Sequence, residues 1–229
     1  TGENFANPVR HIYRIPRNIR TEDMRQFEYT DENDNNRQHF WNPGSNGGAN
    51  PYWTMYRNLD ESRRERVLTM GSLRYEIMDG LSAMVRAAYD GANGQNETIR
   101  YNDSYVIAPN GLYSLSQSNS MEFNTDFLVS FQRDLNPDWS VSANVGGNLQ
   151  IRRNDSVNAS TGSNPGLTIP NFFTISNSQV VQGGHSIGSP RDVQSLYAFG
   201  QIGWRDAIYL DLTGRNDWSS TLPSDSRSY

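Results

Sequence analysis

Six stretches of this chain alternate apolar and polar side chains with a period of two, and no other feature narrows the fold as far. Strict alternation marks an extended strand whose two faces meet unlike surroundings. In the first run Val67, Thr69, Gly71, Leu73, Tyr75 and Ile77 share a face, and Leu68, Met70, Ser72, Arg74 and Glu76 point the other way. In the second, Leu81, Ala83, Val85, Ala87 and Tyr89 share a face, opposed by Ser82, Met84, Arg86, Ala88 and Asp90. Met78-Asp79-Gly80 joins the two as a short hairpin loop, its Gly in the left-handed position. If Ile77 faces Leu81, Leu73 lies opposite Val85 and both apolar sets fall on one side.

The second hairpin is the most regular. Met121, Phe123, Thr125, Phe127, Val129 and Phe131 oppose Glu122, Asn124, Asp126, Ser130 and Gln132. After Arg133–Asp138 comes a partner with Trp139, Val141, Ala143, Val145, Leu149 and Ile151 on one side. Its other side is polar or Gly: Ser140, Ser142, Asn144, Gly146, Asn148, Gln150 and Arg152. Pairing Phe131 with Trp139 sets Phe127 over Ala143 and Phe123 over Gly147, large against small. The third hairpin runs from Leu196 to Trp204, turns through Arg205-Asp206-Ala207 and returns from Ile208 to Trp218. Leu210 and Leu212 share its apolar face; Tyr197 and Phe199 are sorted less cleanly.

The hairpins 66–90, 121–152 and 195–218 thus form an all-β, antiparallel strand region, 65–229, behind a loop region, 1–64. The connections 91–120 and 153–194 are rich in Asn, Ser and Gly and read as long loops. Such loops are uncommon inside compact soluble domains, whereas an outer-membrane barrel has short turns at one end and long loops at the other. Strands of nine to twelve residues match the ~9–11 that cross a bilayer at a tilt. Tyr75, Tyr89, Phe131, Trp139 and Trp204 stand at the ends of the apolar faces, where an aromatic girdle belongs. Alternation alone also suits a soluble sandwich, whose apolar face meets a second sheet. Two readings follow: a slice of a transmembrane β-barrel, or a soluble or surface-exposed β-rich module of the carbohydrate-binding or adhesin kind.

Composition removes most enzymatic alternatives. The 229 residues include no Cys, which excludes disulfides, thiolate zinc sites and cysteine nucleophiles. All 20 basic residues are Arg, so P-loop and Schiff-base chemistry have no lysine. A net charge of -5 without a basic block argues against a nucleic-acid surface. No stretch approaches the ~18 apolar residues of a transmembrane helix. Among possible sites, Asp31, Asn33 and Asn35 alternate like calcium ligands, but the internal Gly and closing Glu of such a loop are missing. His11, His39 and His185 lie too far apart for a metal motif. No catalytic residue, metal ligand or cofactor is expected.

Three stretches carry a family resemblance: Thr213-Gly-Arg-Asn-Asp-Trp-Ser-Ser-Thr-Leu-Pro223, Asn50-Pro-Tyr-Trp53 and Arg14-Ile-Pro-Arg-Asn-Ile-Arg20. They resemble the SusC/RagA family, the TonB-linked nutrient transporters of the Bacteroidetes outer membrane. The resemblance implies a slice of a barrel of roughly 22 strands, with the long segments extracellular and the plug domain outside this chain. Six strands cannot close a barrel, and an open edge cannot stand in lipid; the sequence therefore reads as a fragment. The resemblance also implies uptake of a glycan or peptide, a SusD-like surface lipoprotein as lid, the TonB complex as energy source, and a location in the cell outer membrane.

The expected lipid-facing residues are Leu73, Val85, Phe127, Val129, Val141, Val145, Leu210 and Leu212. Ligand-contact candidates on the polar wall are Arg74, Arg86, Asp126 and Arg152, which also suit pairing across strands or with the plug. Trp41, Tyr52, Trp53 and Tyr56 in the first region suit stacking on sugar rings or, equally, packing of the loop beside Pro43 and Pro51. A short surface helix is expected over Thr21–Phe27, with Glu22 and Asp23 in its first turn; under the resemblance it faces the lipoprotein.

Overall fold

The computed structural model describes residues 6–42 and 48–223. The helices α1 (Pro8–Ile12), α2 (Thr21–Arg25) and α3 (Pro51–Arg57) accompany a small antiparallel hairpin of β1 (Glu28–Thr30) and β2 (Asn36–Gln38). Then follow β3 (Asn58–Met78), β4 (Leu81–Ser104), β5 (Ala108–Asn136), β6 (Trp139–Ser160), β7 (Gln182–Ile187), β8 (Arg191–Trp204) and β9 (Ile208–Ser219). These seven make one sheet in the order β3-β4-β5-β6-β8-β9, with β7 also paired to β6. The architecture is all-β and antiparallel, and among the described residues β3 and β9 are its two edges. The chain divides into two compact units. One combines the residues up to Arg64 with Gly94–Ser118 and Ser156–Ser186; the other holds Glu65–Asn93, Asn119–Asp155 and the residues from Ile187 on.

The strands are longer than their alternation. The segment 91–120, expected as a loop, is strand except for residues 105–107, because β4 runs to Ser104 and β5 starts at Ala108. Likewise β3 begins at Asn58, inside the expected loop region, and β6 continues to Ser160. Within 153–194 only the stretch 161–181 and residues 188–190 lie outside strands. The cause is physical. A ladder needs only backbone N–H and C=O groups, whereas an apolar–polar pattern appears only where one face meets an apolar medium. Asn93-Gly94-Gln95-Asn96-Glu97 is extended but has nothing oily to sort.

One turn falls where expected and two are shorter: β3 runs through Met78, so the first connection is Asp79-Gly80 rather than Met78-Asp79-Gly80. Gly80 has φ +75°, the left-handed position that lets β3 reverse into β4. Between β8 and β9 the turn is Arg205–Ala207, and the register runs from Trp204↔Ile208 to Val193↔Ser219. Between β5 and β6 the expected six-residue connection is only Pro137-Asp138. The Asn136 side-chain oxygen accepts from the backbone N–H groups of Asp138 (2.9 Å) and Trp139 (3.0 Å) and so caps the reversal. This tighter turn moves the register: Phe127 lies over Gly147 rather than Ala143, and a Cβ at Gly147 would sit 2.8 Å from its ring. The large-on-small match survives with a different partner.

In the second unit the rows across β6, β8 and β9 sort cleanly. Trp139–Trp204–Ile208, Val141–Ile202–Leu210, Ala143–Gly200–Leu212 and Val145–Ala198–Gly214 share one face. Ser142–Gln201–Asp211, Asn144–Phe199–Thr213 and Asn148–Ser195–Asp217 share the other. The apolar face is uncovered by any described residue: Leu73, Val85, Val129, Leu210 and Leu212 are exposed, Val141 is half-buried, and Phe127 and Val145 are 46% and 50% exposed.

The first unit has a small core of its own. Trp53 is fully buried, its Nε1 donating to Ser104 Oγ at 3.2 Å, and its ring meets Tyr101 edge-on. Asn50 places it there. Its side chain caps α3 by accepting from the Tyr52 N–H (3.0 Å), and its amide donates to the Met24 and His39 carbonyls. Pro51 occupies the first helical turn, where a missing N–H costs nothing. α2 forms at Thr21–Arg25, two residues shorter than the expected Thr21–Phe27, with Arg20 rather than Thr21 at its N-cap and Glu22 and Asp23 in its first turn. Trp53→Ala should cost this unit about 3–5 kcal/mol, seen as protease cleavage between residues 6 and 42 under conditions that leave the parent intact; unchanged resistance would contradict this packing.

Candidate functional site

The polar wall of the second unit is assembled by register. The Arg86 guanidinium forks onto both oxygens of Asp126, from β4 to β5, at 2.9 and 3.1 Å. Arg152 on β6 donates to Glu122 on β5 at 2.8 Å, and the Gln150 amide holds the other Glu122 oxygen. Arg74 donates to Ser82 Oγ at 3.3 Å. Arg66 pairs with Asp90, and Arg215 reaches both Asp217 and Ser195. Arg86, Asp126 and Arg152 therefore pair across strands. Pairs of this kind add little stability when exposed to water, but they set a fixed pattern of donors and acceptors along the wall.

Sequence reasoning missed the aromatic part of this wall. Tyr197 and Phe199 stack at 6.5 Å and 18° between their planes, and they lie in the polar rows opposite Gly146 and Asn144. A Cβ at Gly146 would sit 2.7 Å from the Tyr197 ring, so the glycine lets the tyrosine lie flat across β6. The signal was present in the sequence as Gly146 itself, an unfilled place in the polar set beside an unsorted Tyr–Phe pair. A flat ring flanked by amides, hydroxyls and fixed ion pairs can contact a sugar or a peptide group by stacking and hydrogen bonding.

The other candidates lie in the first unit, so the structure gathers the eight into two separate sets. Trp53 is a correction: as a fully buried core residue it offers no ring to a ligand. Tyr52 and Tyr56, one turn apart on α3, stack on each other at 6.4 Å and with Phe27 at 6.5 and 5.5 Å. Trp41 is half-buried and its backbone N–H donates to the Gly48 carbonyl. Arg57 crosses the Phe27 and Tyr101 rings and donates to both Glu28 oxygens at 2.7 Å. Those bonds, with a third from Asn36, hold the Glu28 carboxyl below its usual range against the opposing effect of burial. Asp31 is used up by its turn: it accepts from the N–H groups of Asn33 and Asn35 and from Arg37. Among the described residues no group of three or more His, Asp or Glu could hold a metal ion.

No family model matches this chain, and neither does any curated protein. Solved structures do. A structure of the RagAB peptide transporter matches with a TM-score of 0.72 and 18% identity, covering 80% of this chain and 20% of that one. The RagAB peptide importer in its closed-closed and open-open states matches at 0.72 and 0.71, with the same identity and coverage. At this identity the likeness establishes the fold: an open antiparallel sheet shaped like part of a transporter chain. The sequence spans about a fifth of the length of the chains it matches.

The Glu28–Arg57 pair generates a pH dependence. A carboxyl whose pKa is lower folded than unfolded, where it is about 4.3, stabilises above that value and loses the contribution as pH falls through the folded value. The aromatic cluster around Phe27 and α3 should therefore loosen below about pH 4, followed by tyrosine fluorescence or proteolysis. Glu28→Gln should flatten that response; an unchanged acid profile would remove the pair from this role.

Proposed function

We propose that this chain is part of a TonB-dependent outer-membrane importer of the SusC/RagA type, a carrier of a large glycan or peptide rather than an enzyme. The observation that carries the reading is the uncovered apolar face. Phe127 and Val145 are about half exposed on a sheet whose opposite face holds ion pairs and amides. A contiguous exposed apolar face marks a surface that another layer covers, and hydrocarbon is that layer on a membrane barrel. The rival reading, a soluble or surface-exposed binding module, needs a second layer on these residues, and the described residues supply none. The fold likeness to RagAB structures and the motifs at residues 14–20, 50–53 and 213–223 support the transporter class.

In this reading the polar wall lines the lumen, where Arg74, Tyr197 and Phe199 offer contacts to the ligand or to the plug. The first unit is extracellular, and α2 with the Tyr52–Tyr56–Phe27 stack is offered to a SusD-like lipoprotein. The peptide named for the RagAB structures and a glycan are both compatible with this donor and acceptor set. TonB acts through parts of the full-length protein outside this sequence.

In the full-length protein, Val85→Arg or Val129→Arg should cost about 2–4 kcal/mol near the bilayer midplane, read as a shifted urea midpoint in liposomes. Ser142→Arg or Asn144→Arg should cost far less, and equal costs for both sets would overturn the face assignment. Deleting residues 21–29 should reduce co-purification of the lipoprotein; full recovery would place its contact elsewhere. For transport itself, cells lacking the full-length protein should lose uptake of one glycan or peptide class. Uptake that persists after the proton gradient is collapsed would contradict TonB coupling.

A further inference from the structure

We infer that a cavity on the outer face of β3, β4, β5 and β6 is a pocket for the phosphoethanolamine headgroup of a lipid. The inference rests on the proposed lipid-facing orientation and adds a lipid chemistry that this surface selects. The cavity measures about 430 Å³ and lies wholly within the second unit. Steps of two along each strand put its lining on the face of Leu73, Val85, Phe127 and Val145. Its volume falls in the range of small-molecule sites.

The floor is apolar and the rim is charged. Val67, Tyr89 and Met121 make the floor. A Cβ at Gly91 would sit 2.6 Å from the Tyr89 hydroxyl and 2.9 Å from its ring, so the tyrosine lies along β4 over the glycine. Its hydroxyl thus reaches toward the rim. The rim begins one step farther along each strand: Glu65 follows Val67 on β3, Asn119 follows Met121 on β5, and Arg153 and Asp155 follow Ile151 on β6. The Asn119 amide donates to Asp155 at 3.1 Å and fixes both groups there.

The charges of the lining decide the ligand. Two carboxylates, Glu65 and Asp155, stand against one guanidinium. Arg153 donates to both Asp192 oxygens at 2.6 and 3.2 Å and to the Arg152 carbonyl at 2.7 Å. The rest of its fork is left for a further acceptor, such as a phosphate oxygen. A bare phosphate would meet the surplus of acid and be repelled. A phosphate joined to a primary ammonium is not: the phosphate takes the Arg153 fork, and the ammonium takes the carboxylates and the face of Tyr89. A choline headgroup lacks the N–H donors that the carboxylates accept, and a glycerol headgroup lacks the positive charge. The acyl chains then run over Val67 and Met121 onto the apolar face.

The test is lipid binding by the full-length protein in detergent, read by native mass spectrometry. The probes are phosphatidylethanolamine, phosphatidylcholine and phosphatidylglycerol, and lipid A with and without phosphoethanolamine. The ethanolamine forms should bind about ten-fold more tightly than their counterparts. A preference within one of the two lipid classes alone supports the pocket and identifies the carrier. Glu65→Gln with Asp155→Asn should erase the preference, and Gly91→Ala, which pushes the Tyr89 ring aside, should weaken it. A preference that survives the double substitution overturns the assignment to this pocket. Equal binding of all the lipids by the unsubstituted protein, a comparison free of any folding defect, overturns the headgroup chemistry and leaves the lipid-facing orientation intact. A protein that retains no lipid of any kind overturns both.

Discussion

Backbone hydrogen bonding between neighbouring strands is the interaction on which the remainder of this structure depends. Hydrocarbon offers no partner to a peptide N–H or C=O, so a strand that crosses it has to be flanked along its whole length. β6 is flanked in this way. It pairs with β8 from Trp139 to Arg152, and β7 takes over beyond. The ladder is indifferent to side chains, which frees the two faces to become opposites. One face is left smooth and oily, the other carries fixed charge pairs such as Arg86–Asp126 and Glu122–Arg152.

That indifference also explains how much of the molecule was legible in the sequence. Where apolar and polar residues alternate, the alternation located the strands, and the eight apolar positions from Leu73 to Leu212 stand on exposed or half-buried sites. The turn at 205–207 and the left-handed Gly80 followed from local chemistry. Past Asp90 and before Met121 the same strands continue with Ile99, Tyr101, Leu112, Tyr113 and Leu115 scattered among polar residues, and the strict alternation vanishes although the backbone stays extended. The Asn136 cap hid the true register of β5 on β6, because a two-residue turn containing Pro looks like a longer loop in sequence.

The candidate site was half legible. Charged residues on the polar face were recognisable because they alternate with Val and Phe, and Arg86, Asp126 and Arg152 found partners across strands. Trp53 was not separable from Tyr52 and Tyr56, since burial on a short helix depends on what packs against it. The motifs that carried the resemblance now have structural duties. Asn50 ties α3 to Met24 and His39. In the Thr213–Pro223 stretch, the Asp192 N–H donates to Ser220 Oγ and the Ser220 N–H donates back to the Asp192 carbonyl, closing the β8–β9 end at 2.9 Å each way. Motifs that hold the scaffold identify a fold without identifying its cargo.

The central claim is that Phe127 and Val129 on β5 and Val141 and Val145 on β6 touch lipid tails. It is tested most directly by a carbene-generating photolabel confined to the acyl region of membranes holding the full-length protein, with labelled positions located by mass spectrometry. The account predicts adducts on Phe127, Val129, Val141 and Val145 and none on Asn124, Asp126, Ser142 or Asn144. Adducts on the second set, or on neither, would contradict it.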